Sequence, residues 1–176
     1  QGRPLRAVQG HVVLLALGPG AAGALPSSCP ASLTLSVIDV GQGDSILVST
    51  SDGHAMLVDG GPVDASRRVL EAIRKAGVEK LDILTSTHPH ADHIGGLGTV
   101  LDAMPVGRII DSGKVRASET YEGYCERILT RDIPFDLGRT GQSFALGPAT
   151  ISILWPADPL AESLNDCSFV VREVCG

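Results

Sequence analysis

The residues on which the fold depends read Thr85-Ser86-Thr87-His88-Pro89-His90-Ala91-Asp92-His93-Ile94-Gly95-Gly96. Three of the chain's five histidines fall within six residues here, and a carboxylate lies between the second and the third. Neutral imidazole and carboxylate are ligands that zinc, manganese and iron ions accept. The stretch therefore predicts a metal site with the ligands His88, His90, Asp92 and His93.

The neighbours of this cluster predict that it forms a loop between a strand and a helix. Ile83 and Leu84 are typical of the end of a buried strand, and Gly95-Gly96 of a closely packed helix start. On an extended backbone the first two histidines point the same way, whereas the aspartate and the third histidine come where the chain turns. Two half-sites from one loop suit a two-metal centre. The alternative is a chance cluster of histidines on a solvated loop.

Length and composition indicate one globular domain. The chain has 176 residues, 43% of them hydrophobic, which is enough to bury a core. The net charge is -6 and no basic run occurs, which argues against tight, sequence-independent binding of nucleic acid by the chain itself. A phosphodiester substrate is still compatible with this charge, because bound metal ions supply local positive charge.

The four cysteines leave two interpretations open. No two of them form a C-x-x-C pair, so a structural zinc site is not expected. Two disulfides with three connectivities are one interpretation in an oxidising compartment, and buried free thiols are the other. The cysteines are Cys29, Cys125, Cys167 and Cys175.

Residues 1–31 differ in character from the rest of the chain. Arg3 and Arg6 precede a short apolar run over residues 12–25, and small residues follow it. This order is typical of a secretory signal, and the run is too short and too interrupted by Gly and Pro for a membrane span. We therefore expect a signal-like or juxtamembrane leader, a domain at 32–176, and an exported or membrane-associated, extracytoplasmic protein. The alternatives are a leader without function and the tail of an upstream membrane region.

Hydrophobic periodicity predicts strands and helices throughout the domain. Gly77 has the position of a glycine that ends a helix. The predicted strands cover 33–40, 45–50, 54–58, 81–84, 106–111, 133–136, 143–146, 149–154 and 167–174, and the predicted helices cover 64–76, 93–103 and 117–130.

Four motifs, in order along the chain, resemble those of the metallo-β-lactamase fold. The histidine cluster resembles the metal motif of the superfamily. The run D-V-G-Q-G-D resembles the opening motif of one branch, the soluble hydrolase domain of ComEC-type DNA-uptake proteins. The four segments are Ile38–Ser45, Leu57–Gly61, His88–His93 and Leu164–Ser168.

This resemblance implies an α+β fold, a four-layer αββα sandwich with metals at one edge. It implies two divalent ions, zinc or manganese, one held by His88 and His90 and the other by Asp92 and His93. A water activated by the metals would be the nucleophile, and Asp92 would orient this water or accept its proton.

The chain departs from the family pattern in one respect. Family members complete the site with an aspartate in a later T-G-D motif and a histidine in an H-H-G-S motif, and neither motif occurs in this sequence. Outside the cluster the histidines are His11, in the leader, and His54, which is expected at the surface. We therefore expect the N-terminal portion of the fold only, incomplete at the C-terminus, which binds metal weakly and turns over poorly by itself.

Five further residues are candidates around the metal site. Asp59 could hydrogen-bond a ligand histidine and fix its tautomer, or it could accept from the backbone amides of the turn that follows it. Gln42 and Asp44 either contact substrate at the catalytic edge or stabilise their own turn. Asn165 and Ser168 either bind substrate or cap a strand.

Three functions fit these residues. The first is a metal-dependent hydrolase of phosphodiesters, a nuclease of ComEC type that acts on single-stranded DNA near a membrane uptake system for competence. The second keeps the fold but hydrolyses a thioester, a lactone or a β-lactam. The third is a non-catalytic fragment that lacks a complete metal site and serves as a folding or interaction unit.

Overall fold

The computed structural model describes residues 32–157, 160, 162–167 and 170–175. The expected leader and Ser168 lie outside these residues, so their interpretation stays a prediction. None of the helices formed by these residues has the length and the apolar composition of a membrane-spanning segment.

The described residues form nine strands, four α-helices and two short 3-10 helices. The 3-10 helices are Val63–Ala65 and Asn165–Cys167. The strands and α-helices, in chain order, are β1 (Leu33–Val37), β2 (Ile46–Thr50), β3 (Ala55–Val58), α1 (Ser66–Lys75), β4 (Ile83–Ser86), α2 (Ala91–Ile94), α3 (Leu97–Ala103), β5 (Ile109–Asp111), α4 (Glu119–Thr130), β6 (Phe135–Leu137), β7 (Ser143–Leu146), β8 (Ala149–Trp155) and β9 (Val170–Cys175).

The strands form two sheets. The first has six strands in the order β1-β2-β3-β4-β5-β6, antiparallel from β1 to β3 and parallel from β3 to β6. The second has three antiparallel strands in the order β7-β8-β9. Helical crossovers connect the parallel strands, as parallel pairing requires.

The inner strands of the six-stranded sheet, β2 to β5, are buried on both faces, and successive side chains along them enter different cores. Leu57 and Leu84 pack with the helices in one core, whereas Met56 and Ile83 pack against the three-stranded sheet in the other. The described residues therefore stack helices, sheet and sheet, which are three layers of the α+β sandwich predicted from the sequence.

Each predicted strand and helix is present, but the predicted helix 93–103 is broken into two. Gly60 donates its backbone N–H to the carbonyl of His93 at 2.7 Å, and Gly96 donates to the carbonyl of Gly61 at 2.9 Å. These bonds take groups that a continuous helix would pair internally. The helix therefore stops and restarts at Gly95-Gly96, where a distant loop of the chain crosses it.

The end of α1 confirms the role predicted for Gly77. This glycine has a φ of 74°, in the left-handed region. Its N–H donates to the carbonyl of Arg74, and the N–H of Val78 donates to that of Ile73. This is the Schellman arrangement, in which a left-handed glycine satisfies the last carbonyls of a helix.

Parallel pairing brings the carboxyl ends of three strands to one edge of the sheet. Val58 in β3 pairs with Thr85 in β4, and Ser86 in β4 pairs with Asp111 in β5. The residues that follow these strands begin with Asp59, Thr87 and Ser112, and all three are buried. The histidine cluster therefore leaves the sheet at an edge that neighbouring strands line with polar groups.

The turn over residues 41–44 packs directly on the histidine loop. Gly43 has a φ of 89°, and a Cβ atom at this position would lie 1.7 Å from the carbonyl oxygen of Asp92. No side chain fits in that space. Gly53 provides a comparison, because it has a similar φ of 95° in the hairpin turn but has nothing within 4 Å of such a Cβ.

We expect Gly43→Ala to lower the free energy of unfolding by about 3 kcal/mol, the sum of left-handed strain and overpacking. Gly53→Ala should cost about 1 kcal/mol, because it carries the strain alone. Chemical denaturation of both variants measures the difference. Equal costs for the two variants would show that the turn does not press on the histidine loop.

Candidate metal centre

The predicted ligands lie on the loop after β4 and on the first turn of α2. His88 and His93 are buried, and His90 and Asp92 are half-buried. The ring of His88 lies between the other two imidazoles, with its centroid 4.0 Å from that of His93 and 4.8 Å from that of His90. The three rings therefore lie together at this end of the sheet, and their role as metal ligands stays a prediction.

A buried carboxylate, that of Asp59, is hydrogen-bonded to the loop that carries this cluster. Its residue follows β3, is fully buried and has a φ of 56°, which is unusual for a side chain other than glycine. The carboxylate accepts the backbone N–H of Thr87 at 2.8 Å, the hydroxyl of Thr87 at 2.5 Å and Nδ1 of His93 at 2.7 Å. Of the two interpretations left open for Asp59, its contacts are those of the histidine-orienting one.

The alternative interpretation of Asp59 fails because the turn amides have other partners. Gly60 donates its N–H to His93, and Gly61 donates to the carbonyl of Asp44 at 3.0 Å. The carboxylate of Asp59 is therefore available to the histidine loop alone.

The hydrogen bonds assign the proton positions on two imidazoles. Thr87 donates its only hydroxyl proton to Asp59, so at 3.0 Å its Oγ1 accepts from Nδ1 of His88. Nδ1 of His93 donates to Asp59 directly. In their neutral forms both imidazoles then carry the lone pair on Nε2, the ring nitrogen through which each of them can bind a metal ion.

Asp92 has a different neighbour. Nε2 of Gln42 donates to its Oδ2 at 3.1 Å. Partial burial alone would raise the pKa of Asp92, but this hydrogen bond and the nearby charges of His93 and His90 hold the pKa below its usual value. Asp92 is therefore an ionised carboxylate at neutral pH.

The pKa values of the His90 and His93 imidazoles shift in opposite directions. Burial and the charge of Arg116 lower the pKa of His90, although its side chain also hydrogen-bonds Asn165. Burial would likewise lower the pKa of His93, but the hydrogen bond and charge of Asp59 raise it. His90 is therefore neutral at neutral pH, the form in which imidazole binds metal.

The remaining candidates divide between the site and its surroundings. Asp44 lies at the site, with Oδ2 3.8 Å from Nδ1 of His93. Asn165 lies beside His90, as described above. His54 pairs with Asp82, just before β4 and thus at the opposite end of this strand, at 3.1 Å.

The donor chemistry fits a divalent cation, since it combines imidazole Nε2 atoms with an ionised carboxylate. Among the residues that the structure describes, however, no three His, Cys, Asp or Glu side chains are placed to hold one ion together. The assignment of His88, His90, Asp92 and His93 as ligands therefore stays a prediction. Cys125 is a half-buried free thiol and is not among the candidates.

Sequence reasoning missed a second buried carboxylate at this edge, Asp111. It accepts the N–H of Gly113 at 2.6 Å and the hydroxyl of Tyr124 at 3.4 Å. Burial raises its pKa to about 6, against these hydrogen bonds. The sequence carried a signal, because Val58-Asp59 and Ile110-Asp111 each end a buried strand with a carboxylate.

A cavity of about 600 Å³ opens beside Asp92. Gln42 lines it together with the start of α1 and the start of α4. The residues around this cavity are Val40, Gly41, Gln42, Pro62, Val63, Asp64, Arg68, Ala91, Asp92, Gly95 and Thr120.

The Thr87 hydroxyl should set the tautomer of His88. We expect Thr87→Val to shift His88 towards the form with the proton on Nε2, while Thr87→Ser, which retains the hydroxyl, keeps the proton on Nδ1. Imidazole ¹⁵N chemical shifts of the metal-free protein distinguish the two forms. A Thr87→Val protein whose His88 keeps its proton on Nδ1 would contradict this assignment.

Asp111 should make stability depend on pH. Its pKa is raised in the folded state, so its contribution is fully present below about pH 4 and is lost as the pH rises through about 6. Relative to Asp111→Asn, the wild-type free energy of unfolding should fall by about 2 kcal/mol from pH 4 to pH 7. Denaturation curves at several pH values measure this, and parallel pH dependences of the two proteins would refute it.

The comparisons with known proteins gave one family profile and one curated relative. The sequence profile of the metallo-beta-lactamase superfamily matches residues 38–170. Over 90 residues, 51% of this chain and 12% of the relative, the sequence is 34% identical to competence protein ComA of Neisseria gonorrhoeae.

The fold is similar to solved metallo-beta-lactamases. One is the class B3 di-zinc enzyme LRA-12 from an Alaskan soil metagenome, with a TM-score of 0.49, 17% identity, and coverage of 79% of this chain and 57% of that one. Another is MIM-1 from Novosphingobium pentaromativorans, with a TM-score of 0.44, 28% identity, and coverage of 72% and 47%. The chain thus spans about half of these structures and a small part of the competence protein. Because the family profile covers most of its length, this chain belongs to the metallo-beta-lactamase superfamily.

Proposed function

We propose that this chain is the hydrolase part of a ComEC-type DNA-uptake protein and hydrolyses phosphodiester bonds of single-stranded DNA. Membership of the superfamily supports hydrolysis, and the competence protein among its relatives supports the substrate class. The observation that carries the proposal is the buried network in which Asp59 holds the ring of His93 directly and that of His88 through Thr87.

Two divalent ions, zinc or manganese, would be held at this edge of the sheet. His88 and His90 are the proposed ligands of one ion, and Asp92 and His93 those of the other. When bound, the ions lower the pKa of a water molecule and offset the negative charge that develops on the substrate.

The chain's own residues supply orientation and proton transfer. Asp59 holds the ring of His93, and through Thr87 it also holds that of His88. Gln42 holds one oxygen of Asp92. Because Asp92 is ionised at neutral pH, its carboxylate can accept a proton from the attacking water.

Substrate would lie along the outer side of the histidine loop. Gln42 and Asp44 come from the turn on one flank, and Asn165 lies beside His90 on another. Ser168 follows in the same segment as Asn165 and is proposed to contact substrate with it. The basic and apolar leader, residues 1–31, supports export or membrane association of the protein.

The experiment offers three substrates to the full-length protein with Mn²⁺ or Zn²⁺. We expect hydrolysis of bis(p-nitrophenyl) phosphate and of single-stranded DNA, and none of nitrocefin. His88→Ala should lower kcat/KM on both phosphodiesters by about 100-fold or more. Mutation of a residue that only hydrogen-bonds a metal ligand already costs about 10- to 100-fold in metal affinity or activity. His54→Ala is the matched control and should retain activity, since this histidine lies at the other end of β4.

Each other outcome identifies a different function. Hydrolysis of nitrocefin with both phosphodiesters left intact would replace the proposal with β-lactam hydrolysis. Metal bound at full occupancy without turnover of any of the three substrates would favour a non-catalytic role.

A further inference from the structure

The cavity beside Asp92 contains a cationic side chain that the proposed reaction does not use. Arg68 on α1 lines this cavity of about 600 Å³, together with Asp64, Thr120 and the hydrogen-bonded pair of Gln42 and Asp92. The cavity is therefore continuous with the proposed metal site and extends away from it towards α1.

Two neighbouring arginines on α1 have different surroundings. Nε of Arg67 lies 2.9 Å from Oε1 of Glu71, one helical turn further on. The ion pairs formed by the described residues do not include Arg68. Arg67 thus has its counter-charge on its own helix, whereas Arg68 has none among these ion pairs and lines the cavity.

The charges in the cavity define what Arg68 could bind. The other charged groups there are Asp64 and Asp92, and the chain as a whole has a net charge of -6. Among the charged side chains that line the cavity, Arg68 is therefore the one that attracts an incoming anion. The planar fork of arginine matches the oxygens of a phosphate in a bidentate manner.

A second arginine lies near the other flank of the histidine loop. Arg116, on the exposed loop between β5 and α4, is close enough to His90 for its charge to act on that ring. Arg68 lies on the flank of Asp92. A single phosphodiester bound at the metal site would leave these cations without a ligand, whereas a strand with several phosphates can reach beyond the metals on either flank.

We propose that Arg68 binds a phosphate adjacent to the one that is cleaved, so that the site accepts a nucleic-acid strand in preference to an isolated phosphodiester. This inference rests on the proposed function. Arg68 is thus a positioning residue: it fixes where the strand lies along the cavity and takes no part in bond breaking. Arg68 also supplies a positive charge within the cavity, although the sequence contains no basic run.

The test compares Arg68→Ala with Arg67→Ala, which removes the same charge one residue away. In the full-length protein, Arg68→Ala should raise the KM for a single-stranded oligonucleotide of eight thymidines about 10-fold, with little change in kcat. It should also reduce the slope of log KM against log salt by about 0.7, the loss of one phosphate contact on a single strand. Arg67→Ala should match the wild type, and Arg68→Lys should recover part of the affinity.

Bis(p-nitrophenyl) phosphate separates this subsite from the reaction itself, because it has one phosphate, the one that is cleaved, and no adjacent phosphate for Arg68 to bind. Wild type and both alanine variants should hydrolyse it equally. If Arg68→Ala and Arg67→Ala behave alike on the oligonucleotide, the subsite is refuted while the hydrolase stands.

If the wild type cleaves neither phosphodiester, the proposed function fails and strand binding alone decides the inference. Fluorescence anisotropy of a labelled eight-thymidine strand in EDTA measures binding without cleavage. Weaker binding by Arg68→Ala than by Arg67→Ala would support a strand-binding cavity, and equal binding would overturn it.

Discussion

The carboxylate of Asp59 is the group on which the arrangement of the histidine loop depends. It is fully buried, and a buried carboxylate is costly unless its oxygens are hydrogen-bonded. Thr87 and His93 satisfy those oxygens, and both belong to the loop that the carboxylate orients. The hydrogen bonds that make burial of the Asp59 carboxylate tolerable are therefore the same ones that place the imidazoles. A histidine loop folded in any other way would leave a buried charge unpaired.

Most of the fold could be predicted from the sequence because its signals are local. Strands buried on two faces read as short apolar runs, and α1 ends at Gly77 because only a left-handed residue satisfies its last carbonyls. The break at Gly95-Gly96 could not be predicted from periodicity. Its cause is the backbone of Gly60 and Gly61, which lie more than thirty residues away and compete for the helix's hydrogen bonds.

The candidate site divides in the same way. The three histidines lie close together in the sequence, so their rings can lie close together in the fold. For Asp59 the sequence left two roles open, orienting a histidine or accepting from the amides of the turn that follows it. The role of Thr87 between Asp59 and His88, the burial of Asp111 and the place of Arg68 in the cavity wall depend on which strand ends and helices are neighbours. Such contacts are products of the sheet order, and a residue's local sequence does not contain that order.

The crossing of two backbones at Gly60 and Gly96 has a consequence for motion. A Cβ on Gly96 would lie 2.1 Å from the carbonyl oxygen of Gly60, so the two segments touch without side chains between them. The amide protons of Gly60 and Gly96 are held in bonds that join separate parts of the domain. Their exchange with solvent should then require cooperative unfolding, unlike that of a loop that opens locally. The backbone that carries the imidazoles is thus held rigidly by this contact. Its conformational entropy is lost when the domain folds and not when a ligand binds.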